Sequence, residues 1–199
     1  MKKVLVVLAV LALATVAGAQ ELVVNGTFDT DLSGWTASGV SWSNGDFGIP
    51  ASPASGHGEV AMITSWGGNW GGPMGTIEQS IGLNGPGTLS GYLFAGAHAG
   101  DAWRNCGVNV LWNGEQVATL WRDADPNKWA GDFTWEPFSV EVTGSGVNTL
   151  KLEFYAHFAE WTWTAADDLS VVPVPEPSSI LALSTGLIGL AGFAIRRSK

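Results

Sequence analysis

The chain has 199 residues, with 18 acidic and 9 basic side chains and a formal net charge of −9. This acidic balance argues against nucleic acid as a partner, because a negatively charged surface repels a phosphate backbone. Cys106 is the single cysteine, so an intrachain disulfide is excluded, and we expect a buried side chain in a strand.

The first nineteen residues have the three parts of a secretory signal peptide. Met1-Lys2-Lys3 is a basic start, residues 4–16 are apolar, and Ala17-Gly18-Ala19 supplies small residues before a cleavage site. We therefore predict a signal peptide over residues 1–19, with Gln20 as the first mature residue. An uncleaved N-terminal anchor is the alternative.

Residues 20–172 are long enough for one domain with a substantial core. Seventeen of the acids and four of the basic residues lie here, a net charge of −13. Short alternating runs separated by glycine, asparagine or proline replace any sustained helical period. They predict strands at 22–24, 59–64, 76–81, 88–95, 108–112, 115–121, 133–142, 148–158 and around 167–171. Residues 82–87 and 143–146 are predicted loops, and Asn113-Gly114 a two-residue hairpin turn. The prediction is two packed antiparallel sheets.

Four short motifs point to a family. Residues 25–29 read Asn-Gly-Thr-Phe-Asp, and Gly34-Trp35 follows. The other three motifs are residues 77–80 with 86–89, the hairpin at 112–115, and Asp167-Asp168-Leu169-Ser170-Val171. Together they resemble carbohydrate-binding modules with a galactose-binding-like jelly roll. The resemblance implies an all-β, antiparallel two-sheet jelly-roll sandwich.

The same resemblance implies a structural calcium ion. In those modules an acid of the opening motif and an acid of the closing strand commonly hold Ca²⁺. The matching residues are Asp29 and Asp167, with Asp168 a weaker candidate because its side chain should face the other way. Ca²⁺ takes six to eight oxygens from carboxylates and backbone carbonyls, which neighbouring first and last strands could supply. Alternatively, these acids cap surface turns.

The eleven tryptophans all lie in the mature domain and are candidates for sugar stacking. Flat indoles pack on the C–H faces of sugar rings. Most must be core residues, and Trp35 and Trp112 fit that role. The predicted ligand-binding set lies among glycines, beside charged residues or on one strand face: Trp66, Trp70, Trp129, Trp161 and Trp163. Burial as loop plugs is the alternative.

Catalysis has no sequence support beyond scattered carboxylates. The three histidines lack metal-ligand spacing, and no G-x-S-x-G motif is present. Glu59, Glu78, Glu136 and Glu160 could supply an acid pair for glycoside hydrolysis, but any acidic sandwich contains such pairs. We expect a protein that is not an enzyme.

The region 173–199 has three ordered parts. Pro175-Glu176-Pro177 precedes residues 178–195, which carry no charge, and Arg196-Arg197-Ser198-Lys199 follows. Eighteen helical residues span about 27 Å, close to a bilayer core of about 30 Å, and the basic tail should stay cytoplasmic. We therefore predict a single transmembrane helix over 178–195.

This tail resembles the PEP-CTERM sorting signal, which implies an exosortase-type membrane protease as partner. The sorting residues would be Pro175, Glu176, Pro177, Arg196 and Arg197. The sequence thus predicts an exported protein, membrane-anchored as a precursor and then at the cell surface or in the extracellular matrix. It would be non-enzymatic and bind polysaccharide. A purely structural or adhesive matrix protein and a polysaccharide-degrading enzyme are the alternatives.

Overall fold

The computed structural model describes residues 20–43, 49–50, 52–53, 59–65, 72–97, 105–123, 134–157 and 161–175. The predicted signal peptide and the predicted transmembrane segment therefore lie outside the described residues. Within the described ranges, no helix has the length and apolar character needed to cross a membrane.

Within the described residues, eight strands make up the fold, and every pairing between them is antiparallel. The predicted strand at 22–24 is wrong, because these residues do not form a strand. They are β1 (Thr36–Ser38), β2 (Ser41–Ser43), β3 (Glu59–Ser65), β4 (Gly75–Ala97), β5 (Asn105–Trp112), β6 (Glu115–Asp123), β7 (Glu136–His157) and β8 (Trp161–Pro173). The described part of the chain contains no helix, so the predicted all-β class is confirmed.

The two longest strands, β4 and β7, each take part in both layers. The first half of β4 pairs with β1 and with the second half of β7, which continues to β5 and β6; we call this layer sheet one. The second half of β4 pairs with the first half of β7 and with β8, which continues to β3 and β2; this is sheet two. Buried side chains of both layers form one core cluster, so the sheets pack face to face.

The predicted loops at 82–87 and 143–146 are wrong, because both segments are paired strand. Leu83 lies opposite Gly146, and Gly85 lies opposite Gly144. A Cβ on Gly144 would lie 2.4 Å from the Leu83 carbonyl oxygen, and Gly85 and Gly146 have φ of +87° and +103°. Glycines on both strands let the paired ribbon bend from one sheet into the other, which sequence patterns alone cannot distinguish from a loop.

Other local predictions are confirmed. Asn113 and Gly114 have φ of +53° and +84°, as a two-residue turn with both central residues in the left-handed region requires. Cys106 is fully buried on β5, and burial raises the pKa of its thiol to about 12. Trp112 is buried in the core, and Trp35 is partly buried and packs against that core.

Candidate functional site

The opening motif forms a compact loop held by its own side chains. The Asn25 amide donates to the carbonyl oxygens of Asp31 (2.9 Å) and Ser33 (3.1 Å), and Trp35 Nε1 donates to the Asn25 carbonyl oxygen (3.1 Å). Phe28 is fully buried, and its ring centroid lies 5.5 Å from that of Trp35. The motif residues are therefore structural.

Gln79 joins this loop to β4. Its Nε2 donates to the carbonyl oxygens of Val24 (2.9 Å) and Gly34 (3.0 Å), and its Oε1 accepts from the Val24 amide (2.8 Å). The opening segment also lies beside the closing strand, because the Leu22 amide donates to Val171 and the Leu169 amide to Gly26. First and last segments are thus neighbours, as the calcium prediction required.

The three predicted calcium ligands occupy different environments. Asp29 is exposed and accepts from the Thr27 hydroxyl at 2.9 Å, whereas Asp167 is fully buried. Asp168 sits in a bulge of β8 with φ of +51° and accepts from Ser52 Oγ at 3.0 Å. Among the described residues, no three or more His, Cys, Asp or Glu side chains are grouped closely enough to hold a metal.

Asp168 borders a shallow pocket at the seam between the opening segment and β8. The pocket has a volume of about 310 Å³ and is also lined by Glu21, Gly26, Thr27 and Ser170. Glu21 accepts hydrogen bonds there from the Val23 and Val171 amides, both at 2.8 Å. Any ion at this seam would need backbone carbonyl oxygens in addition to the carboxylates.

The predicted ligand-binding tryptophans fall into two groups. Trp66, Trp70 and Trp129 lie outside the described residues, and Trp161 is described only as the first residue of β8. Trp163 is half-buried on the outer face of sheet two, where it packs with Tyr92 against a small cluster that includes Phe94 and Trp135. Ile49 is also a buried member of that cluster, and Trp135 Nε1 donates to the Pro50 carbonyl oxygen.

A different aromatic pair lies on the outer face of sheet one. Trp121 on β6 is 37% exposed, and its ring centroid lies 5.3 Å from that of Tyr155 on β7. Gly107 on β5 lies between them, opposite both residues. A Cβ on Gly107 would lie 2.6 Å from the indole of Trp121, so only glycine lets the ring lie on this strand.

Polar side chains adjoin the pair. Asn109 Oδ1 accepts from Trp121 Nε1 (3.1 Å) and from the Thr119 hydroxyl (2.7 Å). Glu153 accepts from the Tyr155 hydroxyl (2.7 Å) and from Lys151 Nζ (2.8 Å). We call Asn109, Thr119, Trp121, Glu153 and Tyr155, with Lys151, the aromatic face.

Charge and burial set the protonation of this face. Burial raises the pKa of Glu153, whereas hydrogen bonds from Lys151 and Tyr155 lower it. The lowering effects are larger together, so the pKa of Glu153 lies below its usual value. Burial, together with the hydrogen bond to Glu153 and its negative charge, raises the pKa of Tyr155 to about 12. At neutral pH the face therefore presents the Glu153 carboxylate and the neutral Tyr155 phenol.

Polar side chains of β7 connect the aromatic face to a pocket on sheet one. Side chains alternate along a strand, so Thr149, Lys151, Glu153 and Tyr155 share one side of β7. At the far end lies an open pocket of about 390 Å³, lined by Val24, Gly34, Thr36, Glu78, Gln79, Ser80 and Thr149. The residues from Thr149 to Tyr155 extend the surface over about 20 Å.

Sequence reasoning missed Trp121 and Tyr155 although a signal was present. Leu150, Leu152 and Phe154 mark the inward side of β7, which leaves Tyr155 outward. Leu120 likewise marks the inward side of β6 and leaves Trp121 outward. Their approach across Gly107 depends on strand register, which the pattern of single strands does not give.

Of the predicted sorting residues, Pro175 alone falls within the described ranges. Pro175 is exposed, two residues after β8, while Glu176, Pro177, Arg196 and Arg197 lie outside the described residues. The family model for the PEP-CTERM protein-sorting motif matches residues 173–198. The chain therefore carries this motif, as predicted, and the motif implies an exported protein. No curated protein matches the chain.

Solved structures support the fold. TmCBM61, solved in complex with β-1,4-galactotriose, has a TM-score of 0.52 at 13% identity, covering 78% of this chain and all of the module. The K1 cleaved adhesin domain of Lys-gingipain from Porphyromonas gingivalis W83 has a TM-score of 0.50 at 15% identity, covering 75% of this chain and 96% of that domain. The CBM22-1 xylan-binding domain of Xyn10C from Paenibacillus barcinonensis is similar at a TM-score of 0.44 and 16% identity, covering 80% and 97%. The predicted resemblance to a carbohydrate-binding jelly roll is confirmed at the level of fold by TmCBM61.

Proposed function

We propose that this exported protein binds polysaccharide, without catalysis, at the cell surface or in the extracellular matrix. The observation that carries the proposal is the Trp121–Tyr155 pair on the outer face of sheet one. A partly exposed indole supplies an apolar surface for a sugar ring, and the neighbouring amide, hydroxyl and carboxylate groups can bond to its hydroxyls. The jelly-roll likeness to carbohydrate-binding modules supports the same reading.

The test is retention of the purified protein in gels containing a panel of neutral and anionic polysaccharides. We expect retention on at least one polysaccharide and its loss in the Trp121→Ala/Tyr155→Ala double variant. Circular dichroism checks that this variant is folded. Equal retention of the double variant would place the binding surface elsewhere, with Trp66, Trp70 and Trp129 next to be substituted.

A structural or adhesive matrix protein without a small ligand is the second candidate. It draws support from the likeness to the adhesin domain, which concerns fold alone. This candidate predicts no retention on any polysaccharide of the panel, together with binding of the wild-type protein to whole matrix material. A degradative enzyme would instead release reducing ends from a retained polysaccharide.

We also propose a structural Ca²⁺ near the seam between the opening segment and β8. Because Asp29, Asp167 and Asp168 are not grouped closely enough to hold one ion together, at most two of them would be ligands, and backbone carbonyl oxygens would supply the rest. The neighbouring positions of Gly26 and Leu169 support it. An ion bound at about 100 times its Kd would stabilise the domain by ~2.7 kcal/mol, or about 5–10 °C in the midpoint of thermal unfolding. Chelator should lower the midpoint by that amount in the wild type and much less in Asp29→Ala and Asp168→Ala. An unchanged wild-type midpoint would exclude the ion.

We further propose that the precursor is anchored by residues 178–195 and processed by an exosortase-type protease. The sorting motif and the uncharged run support this. Mass spectrometry of the mature protein is the test: processing predicts loss of the residues that follow Pro177. A mature mass that includes Arg196 and Arg197 would contradict it.

A further inference from the structure

The sandwich leads into the sorting motif with almost no spacer. Pro173 is still paired with Gly87, and the Val174 amide donates to the Pro86 carbonyl oxygen at 2.9 Å. Pro-Glu-Pro occupies residues 175–177, and the uncharged run begins at Ser178. The motif match itself begins at Pro173, inside β8.

This short connection limits how far the domain can lie from the apolar run. Three residues separate Val174 from Ser178. The two positions are therefore four steps apart along the chain, and a fully extended chain advances at most about 3.6 Å per step. The hydrogen-bonded end of β8 is therefore within about 14 Å of Ser178. If residues 178–195 occupy a bilayer, this end of the sandwich must lie at the level of the lipid headgroups.

The surface at this position differs from the rest of the domain. We call it the exit end: residues 82–87 of β4, 142–147 of β7, and 173–175. None of these residues is charged, in a domain with a net charge of −13. Val147 is 81% exposed and Val174 is 44% exposed, two of the four large apolar side chains exposed in the described ranges. The nearest charges along β7 are Glu141 and Lys151, and Glu115 follows the adjacent β5–β6 turn.

We infer that in the membrane-anchored precursor the exit end is a lipid-facing surface, with Val147 and Val174 against the headgroup region. An uncharged patch can approach a membrane surface that the acidic remainder of the domain would avoid. The orientation leaves the aromatic face at the side of the domain, accessible to polysaccharide before processing. The inference rests on the proposed anchoring of the precursor and is independent of polysaccharide binding.

A single thiol can report this orientation. Cys106 is fully buried, so Val147→Cys provides one reactive site for an environment-sensitive fluorophore in the folded full-length precursor. Thr134→Cys is the matched control, because Thr134 is exposed and precedes β7, whose stretch from Glu136 to Val142 covers about 20 Å. Both labelled precursors are reconstituted into phosphatidylcholine vesicles that contain headgroup-quencher lipids.

We expect quenching of the label at position 147 and its absence at position 134. A flexible ten-residue Gly/Ser insertion between Val174 and Pro175 lengthens the connection by about 17 Å on average and should relieve the quenching at 147. Equal quenching at both positions, or quenching that persists after the insertion, would overturn the orientation. Failure of the unlabelled precursor to sediment with the vesicles would instead overturn the anchoring, and the orientation with it.

Discussion

Gly26 is the residue at which the opening segment approaches the closing strand most closely. A Cβ at this position would lie 1.9 Å from the Leu169 carbonyl oxygen, so alanine forces the two segments apart. We expect Gly26→Ala to lower the free energy of unfolding by ~1–3 kcal/mol. Urea unfolding measures the change. Gly82→Ala is the control, since a Cβ there meets nothing within 4 Å; equal losses in the two variants would contradict the account.

Glu153 and Tyr155 give the aromatic face a defined pH range. The pKa of Tyr155 is raised from 10.0 to about 12, so its contribution to stability is present below pH 10.0 and is lost as pH rises towards 12. The pKa of Glu153 is lowered from 4.5, so its contribution is present above pH 4.5 and is lost as pH falls through the lowered value.

Absorbance titration tests the tyrosine part directly. The protein has two tyrosines, and the difference between the wild-type and Tyr155→Phe titrations isolates Tyr155. We expect this difference to show a midpoint near 12. A midpoint near 10.0, the ordinary value, would contradict both the burial of the phenol and its hydrogen bond to Glu153.

Individual residues also show which contacts can be predicted from the sequence and which cannot. The opening motif was recognisable because Asn25, Phe28 and Trp35 act within one short segment, where spacing and contact coincide. Trp121 and Tyr155 are 34 positions apart, and their contact depends on both strands pairing with β5 in one register. Sequence patterning could assign each to an outward face but could not bring them together.

Among the elements, the crossing of β4 and β7 determines how the two sheets are joined. Asn148 is buried there, and its Nδ2 donates to the carbonyl oxygens of Leu83 (3.0 Å) and Gly146 (2.9 Å). Its Oδ1 accepts from Asn113 Nδ2 at 3.0 Å, which ties the crossing to the β5–β6 turn. One amide thus satisfies backbone groups that the bend of the ribbon leaves available.

Removal of this amide should therefore be costly. We expect Asn148→Ala to destabilise the fold by ~2–3 kcal/mol, because buried carbonyl groups lose a donor. Asn84→Ala is the control, since Asn84 is exposed on the opposite strand of the same crossing. Thermal unfolding of the two variants is the measurement. Matching midpoints would show that the crossing does not depend on the Asn148 network.

The same crossing shows why a prediction at the level of elements can fail while the class is right. Glycine-rich segments at 82–87 and 143–146 have the composition of loops, yet they are paired residue by residue. The glycine-rich composition indicates that the backbone bends in these two segments. Whether it bends as a loop or as a paired ribbon depends on the partner strand, which is some sixty residues away.

At the scale of the whole molecule, the sorting motif and the proposed binding surface occupy separate parts of the chain. The PEP-CTERM motif begins at the end of β8, whereas the aromatic face lies on β5, β6 and the second half of β7. The sorting motif was readable from sequence because it is a contiguous segment with an ordered composition. The aromatic face is not readable in this way, because it forms only when three strands assemble.

The proposed function assigns the main sugar-stacking surface to Trp121. The most direct measurement is the Kd of the purified exported protein for its best-retained polysaccharide, compared among the wild type, Trp121→Ala and Trp163→Ala. If Trp121 contributes ~2 kcal/mol to the free energy of binding, Trp121→Ala should raise the Kd about 30-fold. Trp163, half-buried on the outer face of sheet two, should be replaceable without effect on Kd. Wild-type affinity in Trp121→Ala, with weakened binding in Trp163→Ala, would contradict the account.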